Sequence, residues 1–211
     1  MPERSTAEAQ ARRHFALAYR YVKGTPTPAL IIVCGLTATG KSTVAEIIRD
    51  RTGFVLLSSD IIRKRLAGLE PTERAAADVR EGIYSEAFTD LTYRTMLAHI
   101  EECLKAQKGA IVDATFRDAQ HRRLFLEVAA RVGVRVIFVE CRAEEKEILR
   151  RLGQRQGAGN VSDATEEVYL RLRDEFMPLT EIPNEFRIMV RTDADPNEAV
   201  SRLESLLYRS A

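Results

Sequence analysis

One octapeptide in the first quarter of the chain has the residue types and the spacing needed to bind phosphate groups. It runs Gly35-Leu-Thr-Ala-Thr-Gly40-Lys41-Ser42. Glycines let the backbone turn tightly so that its amide groups can face an anion, and a helix beginning directly after them adds its positive N-terminal end. The lysine then reaches the β- and γ-phosphates, and the serine hydroxyl ligates Mg²⁺. The octapeptide therefore predicts binding of a nucleoside triphosphate, with MgATP as the expected form.

The surroundings of the octapeptide meet the requirements of this mechanism. An apolar strand is predicted directly before it, at 29–34, and a helix opens directly after it, at about 41–51. We expect the whole loop and the first helical residue after it to bind the nucleotide, with Lys41 also acting in catalysis. The predicted nucleotide-binding residues are Gly35, Leu36, Thr37, Ala38, Thr39, Gly40, Lys41, Ser42 and Thr43.

Features that are missing from the sequence narrow the class of nucleotide-binding protein. A regulatory GTPase needs a DxxG segment after its third strand and an NKxD segment that binds guanine, and the chain has neither. A ring-forming ATPase usually carries Asp-Glu at the end of an acidic strand, but here Asp113 is followed by Ala114. The remaining class is a small kinase, in which a substrate hydroxyl is the nucleophile.

The segment after the second predicted strand supplies a candidate base for such a transfer. Asp60 lies where this strand meets a helix, and Arg63 follows one helical turn later on the same face. Phosphoryl transfer to an alcohol needs a carboxylate that accepts or orients the hydroxyl proton, and Asp60 has that chemistry. The alternative is that Asp60 only caps the helix and Arg63 is a solvated side chain.

Three segments together resemble a group of P-loop kinases. They are the octapeptide, Ser59-Asp60-x-x-Arg63 and Val112-Asp113-Ala114-Thr115. The group includes polynucleotide 5′-hydroxyl kinases, gluconate kinases, chloramphenicol phosphotransferase and zeta toxins. The stretches SSDIIRKRLAGL, IVDATF and SDA are similar to its family of uncharacterised "predicted kinases", of AAA-type ATP-binding proteins, and the likeness covers about residues 29–195. The resemblance implies that Asp60 is the general base and that Arg63 contacts the acceptor.

The same resemblance implies a metal ligand at the end of the third strand. Asp113 would hold Mg²⁺ or its water shell together with Ser42, or help to place the acceptor. The alternative is a turn residue at the end of a strand.

The resemblance also implies a lid at about residues 150–165, where a basic helix runs into a glycine-rich stretch. Arg155 would stabilise charge on the transferring phosphoryl group, and Arg151 would lie near the adenine or the phosphates. Alternatively, these arginines only satisfy the carbonyl groups at the end of their own helix.

Other polar residues support weaker hypotheses. The resemblance implies that the region 64–95 builds the acceptor pocket, although a solvated helix with one packed tyrosine explains it equally well. The polar candidates in this region are Arg80, Tyr84 and Ser85. The turn at 191–196 either borders the adenine or simply connects a strand to a helix. The three histidines are expected to be surface or packed residues: His14, His99 and His121.

The pattern of apolar segments predicts the fold class. Short apolar runs at 29–34, 54–57, 110–112, 134–139 and 187–190 alternate with longer amphipathic stretches. Such alternation is typical of a parallel sheet covered on both faces. We therefore predict a three-layer α/β P-loop NTPase fold with a five-stranded parallel sheet, helices on both faces and a small helical lid. Residues 1–28 are predicted to form an amphipathic helix and linker, and residues 29–211 the kinase domain.

Composition constrains the partners. The chain has 211 residues, of which 45% are hydrophobic and 30% charged, and its formal net charge is +1. A nearly neutral chain lacks the global basic field of a nonspecific nucleic-acid binder. The three cysteines form no CxxC pair, and no apolar run is long enough to span a membrane. We expect a soluble, cytoplasmic protein without a membrane partner.

These observations favour an ATP-dependent kinase that phosphorylates a hydroxyl of a small molecule and uses Mg²⁺. Two alternatives stay open. A polynucleotide 5′-hydroxyl kinase shares the same motifs, and nucleic acid is a possible but not a favoured partner. A non-catalytic nucleotide-sensing module would keep the phosphate-binding octapeptide and have no use for Asp60, Arg63 and Arg155 together.

Overall fold

A single parallel sheet organises the chain. The computed structural model describes residues 2–70, 82–157 and 166–208. Its sheet has the order β2-β3-β1-β4-β5, and every neighbouring pair is parallel. The strands are β1 (Ala29–Cys34), β2 (Val55–Ser58), β3 (Ala110–Asp113), β4 (Arg135–Arg142) and β5 (Arg187–Arg191). The predicted α/β fold with five parallel strands is confirmed, and the strand ends differ from the predicted ones by at most three residues.

Helices connect the strands and cover both faces of the sheet. They are α1 (Pro2–Lys23), α2 (Lys41–Thr52), α3 (Ser59–Leu66), α4 (Glu86–Lys105), α5 (Ala119–Val132), α6 (Glu145–Gly157), α7 (Glu166–Glu175) and α8 (Asn197–Leu207), with a short 3₁₀ helix at Asn184–Phe186. Among the described residues, no helix is both long enough and apolar enough to cross a membrane.

The core has two layers, one on each face of the sheet. Strands β1 and β3 are buried along their whole length, which explains why their sequences are apolar without alternation. On one face, Leu30 packs in a cluster with Ile100 of α4 and Phe125 of α5. On the other face, Ile31 packs in a cluster with Ile48 of α2. The helix after β1 is thus fixed against the sheet by its apolar side.

Helix α4 begins with a side-chain cap. The Ser85 hydroxyl accepts a hydrogen bond from the backbone N–H of Phe88 at 3.3 Å and donates to the carbonyl of Gly82 at 2.8 Å. A serine in this position satisfies one of the free amide groups of the first helical turn. The hydroxyl that the sequence offered as an acceptor-pocket candidate is therefore engaged in starting the helix.

Helix α1 is attached to the fold by polar contacts near its end. The Tyr19 hydroxyl donates to Glu204 at 2.8 Å, and the Arg20 guanidinium donates to the carbonyl of Asp50 at 2.9 Å. The apolar side chains that predicted an amphipathic helix face solvent instead of the core. These exposed residues are Phe15, Leu17, Ala18 and Tyr21.

Close packing where β3 begins makes Gly109 sensitive to substitution. A Cβ added at Gly109 would lie 2.3 Å from the ring of Phe54, which is itself buried. We expect Gly109→Ala to lower the free energy of unfolding by about 1–3 kcal/mol, because the buried ring has no room to move. Gly153→Ala is the matched control. It lies within α6 beside open space and should raise that free energy by about 0.5–1 kcal/mol. Urea unfolding measures both, and wild-type stability of Gly109→Ala would contradict this packing.

Candidate functional site

Three adjacent strands end together at the edge of the sheet that carries the predicted site. Asp113, the last residue of β3, lies opposite Val33 of β1 on one side and opposite Ser58 of β2 on the other. The octapeptide continues from β1, and Asp60 follows β2 by two residues. Ligands of parallel α/β sheets bind outside this carboxyl edge. The fold thus brings the phosphate loop, Asp113 and Asp60 to one place.

The octapeptide adopts a backbone that needs its glycines. Gly35 has φ +133°, and a Cβ there would lie 2.4 Å from the carbonyl oxygen of Cys141. Gly40 has φ +81° and directly precedes α2, where no side chain caps the first turn. The first amide groups of a helix lack partners within the helix and carry its positive dipole end. The loop is therefore built to offer backbone N–H groups to an anion.

The lysine and the serine at the end of the loop both form short hydrogen bonds within the site. The Lys41 ammonium reaches back over the loop and donates to the carbonyl of Leu36 at 2.7 Å. The Ser42 hydroxyl donates to the carboxylate of Asp113 at 2.7 Å. Burial raises the pKa of the Asp113 carboxyl, while the charge of Lys41 and the hydrogen bond from Ser42 oppose that rise. Two oxygen ligands beside a cradle of amides fit Mg²⁺ bound to nucleotide phosphates.

Arg151 and Thr192 hold the phosphate loop through hydrogen bonds to its backbone carbonyls. The guanidinium of Arg151 donates to the carbonyl of Ala38 at 3.3 Å, to the Thr192 hydroxyl at 3.0 Å and to the Thr192 carbonyl at 2.6 Å. The Thr192 hydroxyl in turn donates to the carbonyl of Thr39 at 2.7 Å. Arg151 is thus near the predicted phosphate site, but it acts on the loop's backbone. Sequence analysis did not identify Thr192, which lies in the turn expected to border the adenine.

Apolar contacts reinforce this support. Ala38, at the tip of the loop, has φ +57° and is buried in a cluster with Ile148 and Leu152 of α6 and Tyr169 of α7. Leu36 packs against the same cluster. A non-glycine residue with positive φ is uncommon and persists only where its surroundings hold it. The α6–α7 pair therefore stabilises the shape of the loop.

The candidate base lies at the start of α3, beside a buried lysine. Asp60 is the second residue of the helix, whose N-cap is Ser58, so capping does not account for it. About a third of its side chain is exposed (35%), whereas the side chain of Lys64 is fully buried with its Nζ 3.7 Å from Asp60 Oδ2. Sequence analysis overlooked Lys64, although the i,i+4 spacing from Asp60 is a signal for such a pair.

Arg63 is a buried residue and not a solvated one. Its guanidinium donates to the carbonyl of Ile83 and, at 3.2 Å, to the hydroxyl of Thr89, and it lies 4.9 Å from the centre of the Tyr84 ring. Burial lowers the pKa of the guanidinium, and the negative charge of Asp60 opposes that effect. Arg63 thus joins α3 to the start of α4. The ring of Tyr84, which is partly exposed, lies over the Arg63 guanidinium.

A histidine and two carboxylates fix the chain that follows β3. His121 Nδ1 lies 2.6 Å from Asp118, its Nε2 lies 2.8 Å from Asp90 of α4, and its ring stacks on Tyr93 at 4.0 Å. The Tyr93 hydroxyl accepts the backbone N–H of Phe116 at 2.9 Å. Burial alone would raise the pKa of Asp118, but its hydrogen bonds with His121 hold it below its usual range. His121 is therefore a packed, structural histidine.

Arg122 joins the same chain to the segment after α7. Its fully buried guanidinium donates to the carbonyls of Phe116 at 2.7 Å, Met177 at 3.1 Å and Pro178 at 3.3 Å, and it is paired with Glu181. The several N–H donors of one guanidinium can bind several carbonyls at once. Nothing in the sequence distinguishes Arg122 from its neighbour Arg123, so this support was not predicted.

Some predicted residues lie outside the described part of the chain. Arg80 and the glycine-rich half of the predicted lid, from residue 158 to 165, are among them. Arg155 belongs to the last turn of α6, but its side chain is outside the described set. Its role on the phosphoryl group stays a prediction. Thr37 lies in the loop and Thr43 in the first turn of α2, both at least partly exposed.

The fold and the site at the sheet edge are those of a P-loop kinase. Residues 30–179 match the family described as an AAA domain, and the chain belongs to that family. The predicted resemblance to P-loop kinases is thereby confirmed. Family and fold support ATP-dependent phosphoryl transfer as the general chemistry.

Three relatives illustrate the similarity. An uncharacterised protein of Mycobacterium tuberculosis is 31% identical over 77% of this chain and 32% of its own length. An adenylate kinase of Thermobifida fusca is 27% identical over 82% of this chain and 94% of its own. The solved M. tuberculosis APS kinase has a TM-score of 0.60 at 20% identity, covering 86% and 98% of the two chains. The chain spans about a third of the length of the mycobacterial relative.

The role of Arg151 can be tested with a substitution that keeps its charge. Arg151→Lys removes the guanidinium whose several N–H groups bind Ala38 and Thr192 together. We therefore expect the Kd for ATP to rise about tenfold, which equals a loss of about 1.4 kcal/mol in binding free energy. The matched control is Arg150→Lys, since Arg150 is exposed and pairs with Glu147 on the same helix. Titration calorimetry with ATP should show an unchanged Kd for the control. Equal Kd values for both variants would exclude this role for Arg151.

Proposed function

We propose that this protein transfers the γ-phosphoryl group of ATP to a hydroxyl of a small-molecule acceptor, with Asp60 as the general base. The observation that carries the proposal is the position of Asp60. Its partly exposed carboxylate follows β2, next to the strand whose last residue, Asp113, is hydrogen bonded to Ser42 of the phosphate loop. A base at this place adjoins the end of the bound triphosphate.

The phosphate loop would hold the nucleotide. Its amides and Lys41 would bind the β- and γ-phosphates, and Arg151 would keep the loop in shape from behind. Ser42 and Asp113 would hold Mg²⁺, which when bound offsets the negative charge of the phosphates. The role of the protein is largely to position groups and stabilise charge, because phosphoryl transfer needs little covalent assistance.

Proton removal from the acceptor would be the task of Asp60. As the acceptor oxygen forms its bond to the γ-phosphorus, the bond from that phosphorus to the β,γ-bridging oxygen breaks and ADP leaves. The hydroxyl proton passes to the Asp60 carboxylate. Arg63 would contact the acceptor or support the wall of its pocket, and Arg155 would stabilise charge on the phosphoryl group from the lid.

The relatives support a kinase but differ in acceptor. The structure of the APS kinase is described in complex with AMPPNP and APS. The adenylate kinase is named for an adenylate acceptor. The hydroxyl acceptor proposed for this chain follows from the placement of Asp60, because a phosphate acceptor is already deprotonated at neutral pH and needs no base.

An acceptor screen tests the proposal directly. The protein is incubated with MgATP and a panel of sugars, polyols, hydroxy acids, nucleosides and 5′-hydroxyl oligonucleotides, and ADP release and phosphorylated product are measured. We expect one class of small hydroxyl compounds to be phosphorylated. Asp60→Asn should lower kcat by about 10²–10⁴-fold with an unchanged Kd for ATP, since general-base catalysis contributes that much.

Asp174→Asn is the matched control, because Asp174 is a largely exposed aspartate of α7 whose side chain is 72% accessible. It should keep wild-type turnover. Full turnover of Asp60→Asn would refute the assignment of the base. Phosphorylation of the oligonucleotide alone would identify a polynucleotide kinase, and ATP binding without any acceptor would indicate a nucleotide sensor.

A further inference from the structure

A fully buried lysine, Lys64, lies beside the proposed base. Lys64 lies on α3 one turn after Asp60, and its side chain has no exposed surface. Removing an ammonium group from water costs several kcal/mol unless nearby groups compensate for it. Its Nζ is 3.7 Å from Asp60 Oδ2, so the carboxylate of the candidate base provides part of that compensation.

A second lysine shows what an ordinary pair of this spacing looks like. Lys105 and Glu101 of α4 form an i,i+4 pair with Nζ and Oε1 2.9 Å apart, and the lysine side chain is 64% exposed. Such solvated pairs contribute little to stability. Lys64 has the same spacing in sequence from Asp60, but its side chain is fully buried.

The backbone around Lys64 fixes the direction of its side chain. The Lys64 carbonyl accepts the N–H groups of Ala67 at 3.0 Å and Leu69 at 2.9 Å, where α3 ends and the chain turns at Gly68. Side chains of a helix lean towards its N-terminus, so a lysine held in the last turn extends back towards the first turn. Asp60 occupies that first turn.

We propose that Lys64 is a positioning residue for Asp60. The ammonium group lies 3.7 Å from Oδ2, where its charge attracts the carboxylate and helps to orient it at the carboxyl edge of the sheet. This inference rests on the proposed function, because it assigns Lys64 a role through the general base. It differs from the role of Arg63, which is bound to Ile83 and Thr89.

Other charged and titratable groups surround this pair. Arg63 on the same helix interacts electrostatically with Asp60. Tyr84 in the turn before α4, Tyr93 of α4 and Arg117 after β3 interact in turn with Arg63. These residues are kept when Lys64 alone is substituted. Comparing the effect of that substitution with and without the Asp60 carboxylate therefore isolates the part that acts through Asp60.

A double-mutant cycle tests the proposal. The four proteins are the wild type, Lys64→Met, Asp60→Asn and the double variant. The assays are ADP release from MgATP with water as acceptor and transfer from MgATP to the small hydroxyl compounds of the screen. We expect Lys64→Met to lower kcat about tenfold or more in the wild type, but less than about twofold in the Asp60→Asn background, because residues that act as one unit are not additive.

Two measurements separate positioning from a structural role. The Kd for ATP should be the same in Lys64→Met and the wild type, and Lys105→Met, the exposed counterpart, should leave kcat unchanged. An equal loss of kcat on both backgrounds would overturn the proposal. If Asp60→Asn loses turnover but Lys64→Met does not, this inference fails and the proposed function stands. If Asp60→Asn keeps full turnover, the assigned base itself is wrong.

A titration keeps the proposal testable if Lys64→Met does not fold. The carboxyl ¹³C signal of Asp60, assigned by its absence in Asp60→Asn, is followed against pH in the wild type. The same signal is followed in Lys64→Gln, which keeps a polar side chain without the charge, and its midpoint should be higher there than in the wild type, because an opposite charge at this distance favours the ionised form. Equal midpoints in the two proteins would overturn the proposal. In a folded Lys64→Met, the midpoint should rise by about one pH unit or more.

Discussion

The phosphate loop can bind an anion only if its amide groups face outwards, and a loop in that shape must be held from the other side. Gly35 and Gly40 adopt positive φ at little cost, but Ala38 also has positive φ, which a residue with a Cβ adopts only where its surroundings hold it. The structure supplies the missing support through Arg151 and Thr192, which bind the carbonyls on the back of the loop. These hydrogen bonds fix the carbonyls of Ala38 and Thr39 and thereby the backbone of the loop.

The second constraint is the balance of charge at the sheet edge. A site for a triphosphate needs cations, yet the proposed base and the proposed metal ligand are both carboxylates. Asp113 is buried beside Lys41 and Ser42, which oppose the rise in its pKa that burial causes. Asp60 has Lys64 on its buried side and solvent on the other. Each carboxylate is therefore accompanied by a lysine, and desolvation of the isolated charge is avoided.

Most of the fold was predictable because its signals are local and continuous. Buried parallel strands appear as unbroken apolar runs, and the glycines and lysine of the octapeptide have few alternative explanations. The supporting arginines were not predictable in the same way. Arg151 and Arg150 are adjacent in sequence, but only Arg151 reaches the loop, and its partner Thr192 is 41 residues away. Contacts of that range depend on how α6 packs, which no local pattern encodes.

The two sides of the site are supported by different parts of the chain. On the nucleotide side, α6, α7 and the turn after β5 hold the phosphate loop. On the side of Asp60, Arg63 joins α3 to α4, while Arg122 and His121 hold the chain after β3 against α4 and the segment at 177–181. Because these supports share few residues, a substitution on the proposed acceptor side leaves the contacts that hold the loop in place. Such separation is what a fold needs if its specificity is to depend on the site and not on the fold.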